Sequence, residues 1–177
     1  MPHMIRTQRL LLRPPSPRDA RSFTRHCDDW DVTRMTARWP ARFSEDFARA
    51  RLSAAGTWDQ RHDLLFAVIW QGAAIGLIGL HGAGLPGTAS LGYMIGKAAW
   101  GQGLMTEAVK AVCRHGFAVM GLDRIRADRY ADNPASGRVL EKAGFCCIGP
   151  DIPVFSEARG RADGGWSYAL TRERLNP

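Results

Sequence analysis

Leu91-Gly92-Tyr93-Met94-Ile95-Gly96-Lys97-Ala98-Ala99-Trp100-Gly101-Gln102-Gly103-Leu104-Met105-Thr106-Glu107-Ala108 changes character twice within one short stretch. Ala89 to Ile95 reads as a strand. Met105 to Met120 carries apolar or small residues at Met105, Ala108, Val109, Val112, Gly116 and Val119, the stripe of an amphipathic helix. Gly121 suits the position just past its end. Between strand and helix, Gly101 and Gly103 permit close approach of backbone to a ligand. The amides of Gln102 to Thr106 lack helical acceptors and, with the helix dipole, form a cradle for a pyrophosphate. An ordinary strand–helix turn is the competing account. No Gly-Lys-Ser/Thr follows, so this is not a Walker A loop.

Outward from that stretch the pattern alternates. A strand is expected over Ile5–Arg13, then a helix capped by Ser16 with Pro17 at its first position and Ala20, Phe23 and Cys27 on one face. A second helix starts at Ser44, with Phe47, Ala50, Arg51 and Ala54 on one face and Gly56 as its stop. Leu64–Trp70 and Ala74–His81 read as two strands around Gln71-Gly72 rather than a membrane span. Arg124–Tyr130, Phe145–Ile148 and Trp166–Leu170 are further strands, and Asn133–Ala143 is a helix ended by Gly144. The class is α/β (α+β): one domain over residues 1–177, a mixed sheet of six to seven strands flanked by helices. Gly82-Ala83-Gly84-Leu85-Pro86-Gly87 matches a dinucleotide fingerprint formally, but a strand follows it where a helix is required.

The stretch from Leu91 to Gly103 resembles motif A of the GNAT N-acetyltransferases. Its Trp-Gly-x-Gly form followed by Thr106-Glu107-Ala108 is similar to the RimJ/RimL branch, which includes ribosomal-protein-alanine acetyltransferases. Asn133-Pro134-Ala135-Ser136, Val139-Leu140-Glu141-Lys142 and Gly144-Phe145 resemble motif B, and Thr7-x-Arg9-Leu10-x-Leu12-Arg13-Pro14 the first strand of that branch. The resemblance implies a sheet splayed between the fourth and fifth strands and acetyl-CoA as co-substrate, with no metal. It implies that the pantetheine arm pairs with backbone groups of Tyr93, Met94 and Ile95, as an added strand would. The amides of Gly101, Gln102, Gly103, Leu104, Met105 and Thr106 would hold the pyrophosphate. Asn133 would flank the pantetheine, or serve as a plain helix cap; the two roles are compatible. The family's usual small residue in the cradle is Met105 here, so its side chain must point away. The tyrosine that many members use to protonate the departing thiolate is replaced by Leu140, and Ser136 is the nearest hydroxyl to take that catalytic role.

Acetyl transfer to an amine needs a neutral nucleophile. The strand Ala89–Ile95 offers no carboxylate as a base. Glu107 reads as a first-turn dipole residue before it reads as a base, and Asp151, Glu157 and His81 are the other candidates. Deprotonation at pH 7 costs roughly 1–1.4 kcal/mol for an α-amine against about 4.6 kcal/mol for lysine. The expected acceptor is therefore the α-amine of a protein or peptide. A small-molecule amine is the alternative, as is a catalytically weak acetyl-CoA-binding module. Trp30, Trp39, Trp58 and Trp166 are candidates for an acceptor pocket between the first two helices and the last strands.

Composition narrows the rest. Of 24 basic residues only Lys97, Lys110 and Lys142 are lysine, and the formal charge is +7. The arginines are scattered with no aromatic-interleaved block, so no direct nucleic-acid contact is expected. Cys27, Cys113, Cys146 and Cys147 form no C-x-x-C pair, and the histidines lack metal-ligand spacing. Reduced thiols, a cytoplasmic location and no membrane segment are expected; a homodimer is allowed.

Overall fold

The computed structural model describes residues 4–55, 63–82, 85–150 and 153–175. The strand expected over Ile5–Arg13 is folded back on itself. β1 (Ile5–Arg6) pairs antiparallel with β2 (Leu11–Arg13). The Thr7 N–H donates to the Leu10 carbonyl, and the Leu10 N–H donates to the Thr7 hydroxyl oxygen, each at 3.0 Å, closing the turn between them. Ser16 then caps a 3-10 turn over Pro17–Asp19, while the Asp19 carboxylate accepts from the Ser16 N–H at 2.8 Å. α1 (Ala20–Cys27) buries Ala20, Phe23 and Cys27, the face read from their spacing. A short helix follows that periodicity could not show, α2 (Trp30–Thr33), capped by Asp29. α3 (Glu45–Ala55) starts where Ser44 accepts from the Phe47 N–H. It buries Ala48, Leu52 and Ala55, whereas Ala50 and Ala54 are exposed, so the expected face is turned by about one position. Its expected stop, Gly56, lies outside the described residues.

β3 (Leu64–Trp70) and β4 (Ala73–Gly82) form a hairpin closed by Gln71 and Gly72, both at positive φ (50° and 81°). Such a turn matches the twist of its strands. β5 (Thr88–Ile95) follows. The loop before it lies partly outside the described residues, but Leu85–Gly87 runs straight into the strand with no helix. Then come α4 (Leu104–Val119), β6 (Arg124–Tyr130), α5 (Pro134–Lys142) and β7 (Cys146–Pro150). A small hairpin that the sequence reading missed, β8 (Val154–Ser156) with β9 (Arg161–Asp163), precedes β10 (Gly165–Thr171) and α6 (Arg172–Leu175).

The main sheet has eight strands in the order β1-β2-β3-β4-β5-β6-β10-β7, one more than expected because the first strand is two. Strand alternation sorts its side chains into two cores. On one face Leu12, Phe66, Ile78, Leu80, Leu91, Ile125 and Leu170 pack under α4 and α5, with Val109, Val112, Phe117 and Leu140. On the other, Ile69, Leu77 and Met94 pack under α1 and α3, with Phe23, Trp39, Phe43 and Leu52. Each such side chain contributes about 1.5–3 kcal/mol. Val119, the last member of the expected α4 stripe, is exposed, and Cys113 and Phe117 complete the buried face instead.

β5 and β6 are the parallel pair, and their ladder covers only Thr88–Ser90 against Arg124–Arg126. Beyond Leu91 and Ala127 each strand keeps its outer partner, β4 or β10, and the inner edges part. The sheet is therefore splayed between the fourth and fifth strands as the sequence reading counted them.

Candidate functional site around the splayed strands

The parted edges bring the expected residues together. On β5, the Met94 carbonyl points at β4, close against Gly76, while the Ile95 carbonyl points the other way and accepts from the Trp100 indole at 2.9 Å. By alternation the Tyr93 N–H and carbonyl and the Ile95 N–H face the opening, and the Met94 groups belong to the β4 ladder. Gly101 and Gly103 both lie in the left-handed region (φ +73° and +74°), which an L side chain enters only with strain. A Cβ on Gly101 would meet nothing, so its surroundings are open. Gly103 is the residue from which α4 starts, and the amides of Leu104, Met105 and Thr106 form its first turn. The Met105 side chain is buried in the core beneath, away from that turn.

Arg9, quoted earlier only as part of a strand pattern, stands beside this loop. Its guanidinium donates to the Gln102 carbonyl at 2.8 Å and pairs with Glu107 at 2.7 Å. Glu107 also accepts from the Thr7 hydroxyl (2.5 Å) and the Arg9 N–H (2.8 Å). Burial acts to raise its carboxyl, but these bonds outweigh it and hold it below the usual range. Glu107 is thus a clasp between the β1–β2 turn and α4. These partners lie about a hundred positions away in sequence, so no local pattern could reveal them.

At the other wall, Asn133 caps α5, accepting from the Ser136 N–H at 3.1 Å. Leu140 is fully buried in the core. A phenol reaches Ser136 from the opposite strand instead: the Tyr93 hydroxyl lies 2.7 Å from Ser136 Oγ. Burial raises the Tyr93 phenol to about 12 although the Ser136 contact acts to lower it, so it stays a protonated O–H.

On the reverse face of the opening, the Ser90, Gly92 and Met94 positions of β5 carry no charge. His81 on β4 lies over Gly92: a Cβ there would meet His81 Nε2 at 3.9 Å. The Trp quartet does not form one pocket. Trp39 is buried among Phe23, Phe43 and Phe47, Trp30 and Trp166 are exposed, and Trp58 lies outside the described residues. Asp151 also lies outside them, and Glu157 is used through its N–H, which donates to the Ala37 carbonyl. Arg159 closes this side. Its largely buried guanidinium binds Asp132, Asp163 and the Arg34 carbonyl and stacks over Tyr130. It thereby ties the β8–β9 hairpin to the segment after α2.

A family model described as an acetyltransferase (GNAT) domain matches residues 9–146. The uncharacterized N-acetyltransferase YoaA of Bacillus subtilis is 29% identical over 145 residues, which span 80% of this chain and 82% of YoaA. An acetyltransferase of the GNAT family from Bacillus anthracis superposes with a TM-score of 0.81 at 25% identity, covering 97% of this chain and 99% of that one. RimJ of Mycobacterium smegmatis, solved in complex with CoA-disulfide, shares the fold with a TM-score of 0.78 at 23% identity, covering 95% and 84%.

Proposed function

We propose, from the premise that this chain belongs to the acetyltransferase (GNAT) family, that it acetylates the α-amine of a protein or peptide. The chain is an acetyl-CoA-dependent N-acetyltransferase. The observation that carries the α-amine reading is the acceptor face of β5, where Ser90, Gly92 and Met94 provide no carboxylate beside the opening. An α-amine, with a pKa of about 7.7–8.0, needs little help to be neutral, and a lysine at about 10.4 needs a strong base. Likeness to RimJ supports the RimJ/RimL branch. We take residues 1–177 as one domain, placed in the cytoplasm. Free Cys27, Cys113, Cys146 and Cys147 fit a reducing compartment. Among the described residues no helix is long and apolar enough to cross a membrane.

The residues fit the co-substrate. Open space at Gly101, the left-handed entry at Gly103 and the start of α4 suit a pyrophosphate, and the Arg9 guanidinium adds a positive charge beside them. Backbone groups of Tyr93 and Ile95 would take the pantetheine arm by strand addition, with Asn133 on the far side. Acetyl-CoA supplies the activated thioester when bound. Ser136 gives the proton that the departing sulfur needs, and Tyr93 holds the Ser136 hydroxyl in line at 2.7 Å. Incubation with labelled acetyl-CoA and either an alanine-initiated peptide, the same peptide with a blocked N-terminus and one lysine, or spermidine tests the acceptor. Mass spectrometry should find label on the free α-amine. Label on spermidine alone would move the chain to small-amine chemistry.

A further inference from the structure

The opening has a second mouth, on the face turned away from α4 and α5, and its charged side chains come from elements other than β5. Paired strand positions share a face, so Gly79 and Gly92, opposite each other, make a bare floor beside the point where β5 leaves β6. The His81 ring folds over both, with Cε1 at 3.3 Å from a Cβ built on Gly79 and Nε2 at 3.9 Å from one built on Gly92. Its Nδ1 faces Asp63 Oδ1 at 3.6 Å, and that carboxylate is itself fixed by the Gly82 N–H at 3.1 Å. Across the opening, Asp128 on β6 shares this face, because it stands two positions beyond Arg126, the partner of Ser90. Ser167, buried, holds Asp128 at 2.6 Å.

We propose that His81, oriented by Asp63, is the general base that takes the proton of the acceptor amine, and that Asp128 receives the incoming amine across the opening. This rests on the acetyltransferase reading above and names the base that reading lacks. The amine loses a proton to His81 Nε2 as its nitrogen bonds the acetyl carbon; the carbon–sulfur bond breaks and the sulfur takes a proton from Ser136. The products are an amide and a free CoA thiol, and the proton on His81 returns through solvent to restore Ser136. A general base must sit near the transferred proton and be unprotonated at working pH. The groups facing His81 decide the second point. Burial lowers its pKa from the ordinary value of 6.5, the charge of Arg38 lowers it further, and Asp63 acts in the raising direction. Asp128 on β6 shares this face by alternation, and β5 adds only the uncharged Ser90 and Gly92 to it. The ring is therefore neutral at pH 7. Gly92 has a role in this arrangement: a Cβ there meets only the His81 ring, at 3.9 Å and 4.0 Å, so a larger side chain would crowd the floor beside the base.

The test uses the full chain. Calorimetry with acetyl-CoA is measured first for wild type and His81→Gln. Thiol release is then followed from pH 5 to 9 with the alanine-initiated peptide, with spermidine, and with water alone as acceptor. Wild type should gain activity through a limb below pH 6.5, separate from the later rise that the ionisation of the peptide α-amine itself gives near about 7.7–8.0. His81→Gln should bind acetyl-CoA as wild type does, lose the limb and fall about 10²–10³-fold in kcat/KM. Asp63→Asn should move the limb to lower pH, a shift that a merely structural role would not produce. Asp128→Asn should raise the acceptor KM with acetyl-CoA affinity unchanged. Gly92→Val should keep the fold by circular dichroism and lose transfer. If His81→Gln keeps the limb and a rate within twofold on every acceptor, the base assignment is overturned while the acetyltransferase reading stands. If wild type does not bind acetyl-CoA, both fall.

Discussion

The two mouths of the splayed sheet are built from different materials. Toward α4 and α5 the lining is mostly backbone: two left-handed glycines, the first turn of a helix and the inner edge of β5, with the Ser136 and Tyr93 hydroxyls 2.7 Å apart. Toward α1 and α2 it is side chains carried on separate elements: His81 and Asp63, Asp128 with Ser167, and Arg159 binding a hairpin to a loop. Backbone recognition is insensitive to sequence outside its glycines and suits a ligand that never changes. Side-chain recognition varies residue by residue, as a choice among acceptors demands. The difference predicts that substitutions on the first side disturb acetyl-CoA binding or the departure of its sulfur, and those on the second disturb the amine or the scaffold that holds it.

Gly103→Val is the strongest way to break that division. It forces a branched residue to φ +74° at the helix start. Strain of about 1–2 kcal/mol plus the lost close approach should weaken acetyl-CoA binding roughly 30- to 100-fold in calorimetry. An unchanged affinity would take the phosphates away from this loop. Ser136→Ala should lower kcat about 10- to 100-fold with little change in the KM for acetyl-CoA, as expected for a group acting in the transition state. Restoring the acid with Leu140→Tyr is not a workable rescue, because Leu140 is fully buried in the core and overpacking there costs about 1–3 kcal/mol.

On the acceptor side, Arg159→Ala leaves Asp132 and Asp163 without their shared cation. Asp132 keeps Arg34 and Asp163 keeps Arg161, so the loss is that of the contacts of Arg159 itself, its bond to the Arg34 carbonyl and its stacking over Tyr130 included, about 2 kcal/mol. A thermal melt should fall by roughly 4–8 °C. Acetyl-CoA affinity at matched temperature should stay put, which sharpens the separation of the two sides. Glu107→Gln is the smallest change. It weakens the clasp to Arg9 and Thr7 by about 1 kcal/mol, read by chemical denaturation. It should leave the pH profile of transfer unaltered; a lost limb there would make Glu107 the base after all.

What could be read from the chain alone follows the reach of each interaction. α4, the Gln71-Gly72 hairpin and the Asn133 cap of α5 rest on contacts within a few residues, so spacing revealed them. β1 and β2 read as one strand because Leu10 and Leu12 share a face, while the turn between the two is made by hydrogen bonds that spacing does not report. α2 and the β8–β9 hairpin are too short to show a period. On the candidate site, the Gly101–Gly103 loop at the start of α4 is a local pattern, and Ser136 follows from the family resemblance. Arg9 and the Tyr93 side chain are not legible in either way, and His81 stands in the sequence only as one candidate base among several, its grouping with Asp63 and Asp128 hidden: each depends on strands pairing across tens of residues. Met94 was read with its neighbours as one exposed edge, and only the register with β4 separates it from Tyr93 and Ile95.

The short ladder between β5 and β6 has a thermodynamic side. Three residue pairs join two otherwise well-formed half-sheets, and the hydrogen-bonding edges beyond them look into the cleft instead of at each other. A ligand that lies there as a strand makes up the missing rungs, and by mass action it stabilises the native chain by about 2.7 kcal/mol when present at a hundred times its dissociation constant. Folding and metabolic supply are then linked quantities. If acetyl-CoA binds along this seam as proposed, a cell rich in it would stitch the two halves of the sheet through the metabolite, and in a starved one the same seam is where local opening, hydrogen exchange and proteolysis should begin.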